Sequence, residues 1–205
     1  MSITVILIII TVATSFLAWN KPEYMYKWIM NPYQIWHRNQ WHRMLTSGFI
    51  HGDQMHLLFN MFTFYFFGRF AENILQHTYG SSTGTILFLC LYLGGIIFAD
   101  IPTLYKHKDN ARYNALGASG GVSSVLFTFV LVQPFGEICL YGFLCLPAVA
   151  WGAVYLAYTY YAGKRNADNV NHDAHLWGAV FGILFTIFVI PGSLERFFSQ
   201  LLSIF

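Results

Sequence analysis

Apolar positions in this chain fall into six runs, at about residues 2 to 19, 55 to 76, 84 to 105, 118 to 133, 138 to 161 and 174 to 194. As helices rising ~1.5 Å per residue, runs of this size approach or cross a hydrocarbon layer ~30 Å thick. Polar positions collect between them, in a long first loop from Asn20 to Gln54, a loop from Lys106 to Leu116 and a shorter one from Gly163 to Asn171. Turns are expected near Tyr79-Gly80 and Pro134-Phe135-Gly136. The pattern predicts an all-α integral membrane protein of six transmembrane helices, a single domain over residues 1–205 without internal repeats. Ile3 to Trp19 reads as a retained first helix, since no basic residue precedes it and no small-x-small cleavage site follows.

The fourth run carries the sharpest physical constraint. From Ser119 to Pro134 it offers about 16 residues, or ~24 Å, short of a full hydrocarbon core. Its start is therefore expected below the membrane surface, with the Lys106 to Leu116 loop dipping inward beside a water-filled cavity, because irregular backbone at that depth needs protein or water around it. Water could then reach Ser119.

Composition narrows the function classes. The 205 residues are 56% hydrophobic and 10% charged, outside the range of soluble domains. A net charge of +2 without a basic face excludes nucleic acid as a partner and leaves the lipid bilayer, or something in it. Cys90, Cys139 and Cys145 all sit in apolar stretches, where a thiol is expected to act as a small hydrophobe rather than a bridge. The first loop, rich in Trp28, Tyr33, Trp36 and Trp41, is expected to be ordered at the membrane interface.

Two motifs bear chemistry. Gly117-Ala118-Ser119-Gly120 opens the fourth run, and Ala174-His175-Leu176-Trp177-Gly178 lies in the sixth. Polar groups in hydrocarbon are costly and usually functional, and a histidine is the common base that makes a serine hydroxyl nucleophilic. Ser119 and His175 meet only if the two helices pack closely. Ala174, Gly178 and Gly182 form a small-residue stripe that permits this, with Gly117, Gly120 and Gly121 on the other side. A second constellation opens the second run: His51, then His56 and Asn60, the last two sharing one helical face. Together with the Ser119 backbone N–H they could donate to an oxyanion.

In order and spacing, Trp41-His42-Arg43, His51, His56-Leu57-Leu58-Phe59-Asn60, Gly68-Arg69-Phe70-Ala71-Glu72, Gly117-Ala118-Ser119-Gly120 and Ala174-His175-Leu176-Trp177-Gly178 with Gly182 resemble the rhomboid family of intramembrane serine proteases. The resemblance, from about Trp41 to Gly182, implies a six-helix rhomboid-like bundle. In it Ser119 is the nucleophile, His175 the general base and then acid, His56 and Asn60 the oxyanion donors, and Arg43, His51 and Glu72 structural polar sites. It implies no cofactor and no metal, single-pass transmembrane proteins with helix-destabilising segments as substrates, and a bacterial inner membrane. Three positions depart from the family pattern: His42-Arg43 where Trp-Arg is usual, Trp177 where a small residue is common, and Ser123 where an aromatic often stacks on the histidine. Pro147 is expected to kink the fifth helix.

Nine of the eleven basic residues (Lys21, Lys27, Arg38, Arg43, Lys106, Lys108, Arg112, Lys164 and Arg165) fall in the first, third and fifth loops. By the positive-inside rule those loops are cytoplasmic, whereas the resemblance puts the first loop and the serine's opening outside and both termini inside; the expectation follows the resemblance. Two other functions remain open. His51, His56, His172 and His175, with Asp173 nearby, could ligate a metal for a membrane hydrolase, or the chain could be an inactive rhomboid-like binder. Nothing in the pattern specifies an oligomeric state.

Overall fold

The computed structural model describes residues 2–140, 142–165 and 170–203, so the expected loop from Gly163 to Asn171 lies outside the described residues at 166–169. Six long helices carry the architecture: α1 (Ile3–Asn20), α5 (Gln54–Tyr79), α6 (Ser81–His107), α7 (Ser119–Val132), α8 (Ala148–Arg165) and α9 (His172–Val189). Three of them, α1, α6 and α9, are long and apolar enough to cross a membrane, and α7 is a shorter apolar helix. Short helices α2 (Pro22–Trp28), α3 (Pro32–Arg38) and α4 (Arg43–Thr46), followed by a 3-10 turn at Ser47–Phe49, order the first loop; α10 (Ser193–Leu202) closes the described chain.

The elements begin and end where local chemistry directs. Asp53 caps α5 by accepting the His56 N–H at 2.8 Å, and Asn171 caps α9 through the Ala174 N–H at 3.2 Å. The first turn of α1 is held from outside: the Glu72 carboxylate accepts from the Ile3 N–H (2.8 Å), the Thr4 N–H (3.0 Å) and the Thr4 hydroxyl (2.7 Å). An anion at a helix N-terminus satisfies donors that the helix cannot. Phe64, Phe88, Leu91, Tyr92 and Val125 form the central core between α5, α6 and α7.

Two ends of the bundle can be told apart. At one lie the first loop, the starts of α5, α7 and α9 and the ends of α6 and α8, joined by Met30–Ala115 bridge hydrogen bonds of 3.0 Å and by Lys106–Asp173 at 3.0 Å. At the far end lie the Glu72–α1 contact, the Gln76–Thr85 hydrogen bond of 2.9 Å and α10.

The fifth apolar run differs from expectation. Residues 138–147 do not begin a helix; β1 (Glu137–Leu140) and β2 (Leu144–Pro147) form an antiparallel hairpin, so the chain is not all-α. A short continuous apolar run does not distinguish strand from helix by periodicity, and the punctuation decides. Gly142 takes φ +77° at the turn, and Pro147 pushes the residue before it out of the α region. Pro147 thus ends the strand instead of kinking a helix; the proline inside a helix is Pro102 of α6. Cys139 and Cys145 face each other in this register and form a disulfide, against the expectation of separate thiols, while Cys90 is free. The sixth run also ends early, at Val189, because Gly192 (φ +68°) turns the chain into the separate α10.

Candidate active site

The site is built on the contact between α7 and α9, and glycine makes that contact backbone to backbone. A Cβ on Gly178 would lie 2.4 Å from the Gly120 carbonyl oxygen, and one on Gly182 would lie 2.2 Å from that of Ser124. The Ser124 hydroxyl sits 2.9 Å from both the Gly120 and Gly178 carbonyls, and Thr186 donates to Thr128 at 2.9 Å. The paired positions 120/178, 124/182 and 128/186 keep one sequence separation of 58. The helices therefore run parallel in register. His175, one turn before Gly178 on the same face, comes level with the Gly117-Ala118-Ser119 segment.

That segment is held by the first loop. The Gly117 N–H donates to the Ser47 carbonyl at 3.0 Å, and the Ala118 N–H donates to His51 Nε2 at 3.3 Å. Acceptance at Nε2 assigns the proton to Nδ1, which lies 3.1 Å from the Ser15 hydroxyl of α1. Burial, and secondarily the nearby His56, pushes the His51 imidazole down to about 3, with Asp53 opposing, so it stays neutral. The first intrahelical N–H bond of α7 is that of Val122 to Ala118. The N–H groups of Ser119, Gly120 and Gly121 accordingly have no acceptor within their helix and carry its positive dipole end.

Gly117 is in this loop rather than in a helical stripe. Its φ of +119° is open to glycine, and a Cβ there would meet His56 Cε1 at 2.6 Å. The His56 ring thus lies against the backbone two residues before the serine. Gly120 and Gly121 also face α6, through Ala99 and the Tyr92 carbonyl. Asn60 is buried and spends one Nδ2 hydrogen on the His56 carbonyl at 2.9 Å; the amide carries a second. Ser119 is half-buried on the wall of a cavity of about 10 Å³, lined also by Ser47, Asp100, Gly117, Asn171 and Ala174. Such a volume is about the least that holds one water.

Elsewhere, buried Arg43 ties the first loop together by donating to the Tyr26 and Ile29 carbonyls at 2.7 and 2.8 Å and to Gln40 at 2.7 Å. Glu72 is at the far end with α1, away from the serine. Trp177 is exposed beside Phe98, on a different face from His175. The metal reading requires His51, His56, His172 and His175 to converge. Among the described residues no three His, Cys, Asp or Glu side chains do so, and both ring nitrogens of His51 are engaged.

Two neighbours of the site escaped sequence reasoning. Asp100 enters the cavity wall from α6, 3.5 Å from the Ser47 hydroxyl. Tyr155 of α8 stacks on His175 with ring centroids 6.1 Å apart and planes at 11°, and its hydroxyl meets that of Ser123 at 2.5 Å. The carboxylate in the third apolar run was a visible signal for Asp100; Tyr155, among several tyrosines in its run, carried none.

A Rhomboid domain family model matches residues 38–192. Over about 150 residues the chain is 28% identical to "RHOMBOID-like protein 12, mitochondrial" of Arabidopsis thaliana, covering 67% of this chain and 43% of that one. It is 29% identical to "Presenilin-associated rhomboid-like protein A, mitochondrial" of Danio rerio (68% and 35%) and 28% identical to "Rhomboid protein 1, mitochondrial" of Saccharomyces cerevisiae (69% and 40%). The chain thus spans less than half the length of these relatives. They are mitochondrial, and lend no support to the expected bacterial inner membrane. With a family model covering most of its length and apolar helices packed around the matched motifs, the chain belongs to the rhomboid family of membrane proteins.

Proposed function

We propose that this protein is an intramembrane serine endopeptidase with six membrane-spanning helices, cleaving single-pass transmembrane proteins. The observation that carries the reading is the parallel glycine seam of α7 and α9, which brings His175 level with a half-buried Ser119 at a cavity wall. His175 accepts the Ser119 hydroxyl proton as the oxygen attacks the scissile carbonyl, then gives that proton to the departing amine. In the second half-reaction a water loses its proton to His175, attacks the acyl-enzyme and releases Ser119. The Ser119 N–H at the helix start, His56 beside Gly117 and the second Nδ2 hydrogen of Asn60 stabilise the oxyanion. Substrates with helix-destabilising segments suit this site, since a peptide bond must leave its helix to reach the serine.

The test is purified protein in vesicles with a tagged single-pass substrate. Ser119→Ala and His175→Ala are each expected to abolish cleavage, and the double variant to be no worse, because nucleophile and base act as a unit. Turnover by Ser119→Ala protein overturns the mechanism. Loss of a stoichiometric metal from His56→Ala protein, with reversible killing by chelators, favours the metal hydrolase, and binding without cleavage by the unmutated protein favours an inactive binder.

A further inference from the structure

We propose that Tyr155 is the positioning residue that orients His175, a step that rests on the protease reading above. Its ring lies nearly parallel to the imidazole, within the separation at which aromatic pairs attract. A stacked imidazole keeps its plane, which restricts its nitrogens to directions within that plane. The phenol is anchored at its other end to Ser123, a buried residue one turn after Ser119 on the same face of α7. Phe127, one turn further along, packs against the same ring at 5.6 Å. One side chain therefore joins the helix of the nucleophile to the ring of the base. It does so from α8, which buries only Ala148, Gly152 and Thr159 among its 18 residues. The orientation of His175 thus depends on α8 being docked: an aromatic at position 123 would have tied the imidazole to α7 itself, and here the tie is transferred to a separable helix.

The experiment follows labelling of Ser119 by a fluorophosphonate probe, and cleavage of the vesicle substrate, over a range of pH. Tyr155→Phe keeps the ring and loses the anchor; a severalfold slower labelling rate is expected. Tyr155→Ser loses both, with at least a tenfold fall in kcat, little change in KM and an altered pH profile of labelling. Combining Tyr155→Ser with Ser123→Tyr restores an aromatic beside His175 from α7, and most of the lost labelling rate is expected to return. Wild-type labelling and an unaltered pH profile in Tyr155→Phe and Tyr155→Ser, with thermal stability retained, overturn the proposal. So does a folded double variant that recovers nothing. Equal labelling of Ser119→Ala protein is a different failure, that of the protease reading.

Discussion

The seam between α7 and α9 and the attachment of α8 are two different kinds of joint. At the seam, glycines bring carbonyl oxygens within reach of the facing backbone, and Ser124, Thr128 and Thr186 stitch the gap with hydrogen bonds. Along α8, each of these contacts involves a side chain: Val130 against Gly152, Tyr155 against Ser123 and His175, and Trp151 donating to the Ile138 carbonyl of the hairpin at 2.8 Å. Backbone contact leaves no rotamer to adjust, so the seam sets a fixed level for serine and histidine, whereas a joint of side chains can open without unfolding either partner. The first fixes the level of one helix against the other, and the second leaves the position of α8 to its side chains.

The largest effect is expected from breaking the seam. Gly182→Val places a Cβ 2.2 Å from the Ser124 carbonyl oxygen, and overpacking of this kind costs about 1–3 kcal/mol or more. Even Gly182→Ala is expected to lose stability, although alanine gains about 1 kcal/mol of helix propensity. Thermal unfolding in detergent checks both, and a more stable Gly182→Ala protein would show the seam to be looser than described.

A smaller effect separates the fixed joint from its support. His51 is held neutral in the fold, at about 3 against an ordinary 6.5, so between those values the unfolded chain binds more protons and stability falls as pH falls. His51→Gln is expected to lower stability at pH 7 and to flatten the decline between pH 6.5 and 4. An unchanged slope in His51→Gln assigns the acid sensitivity to other groups. The smallest effect is expected at the far end. Cys139→Ser with Cys145→Ser removes a bridge across a short loop, and is expected to lower the melting temperature by a few degrees while leaving the rate of probe labelling at Ser119 unchanged. A large loss of labelling would show that the hairpin controls the docking of α8.

The sequence by itself determined the elements whose signal is local. Long apolar runs ending at caps and polar loops marked α1, α5, α6, α7 and α9 to within a few residues, since hydrophobic length and capping chemistry act over one or two turns. The sequence also marked Gly178 and Gly182, which meet α7 at the seam, and His56, whose ring lies against Gly117, because glycine and buried polar groups in an apolar run are anomalies visible without coordinates. Residues 138–147 were illegible, as an apolar stretch of that length satisfies strand and helix alike until its glycine, proline and cysteine pairing are seen in space. Only the tertiary structure decided that Gly117 serves the loop and the His56 ring, that Asp100 joins the cavity wall, and that Tyr155 stands beside His175. These are contacts between residues far apart in the chain, formed by the register of packed helices, and no periodicity within one segment encodes the register between two.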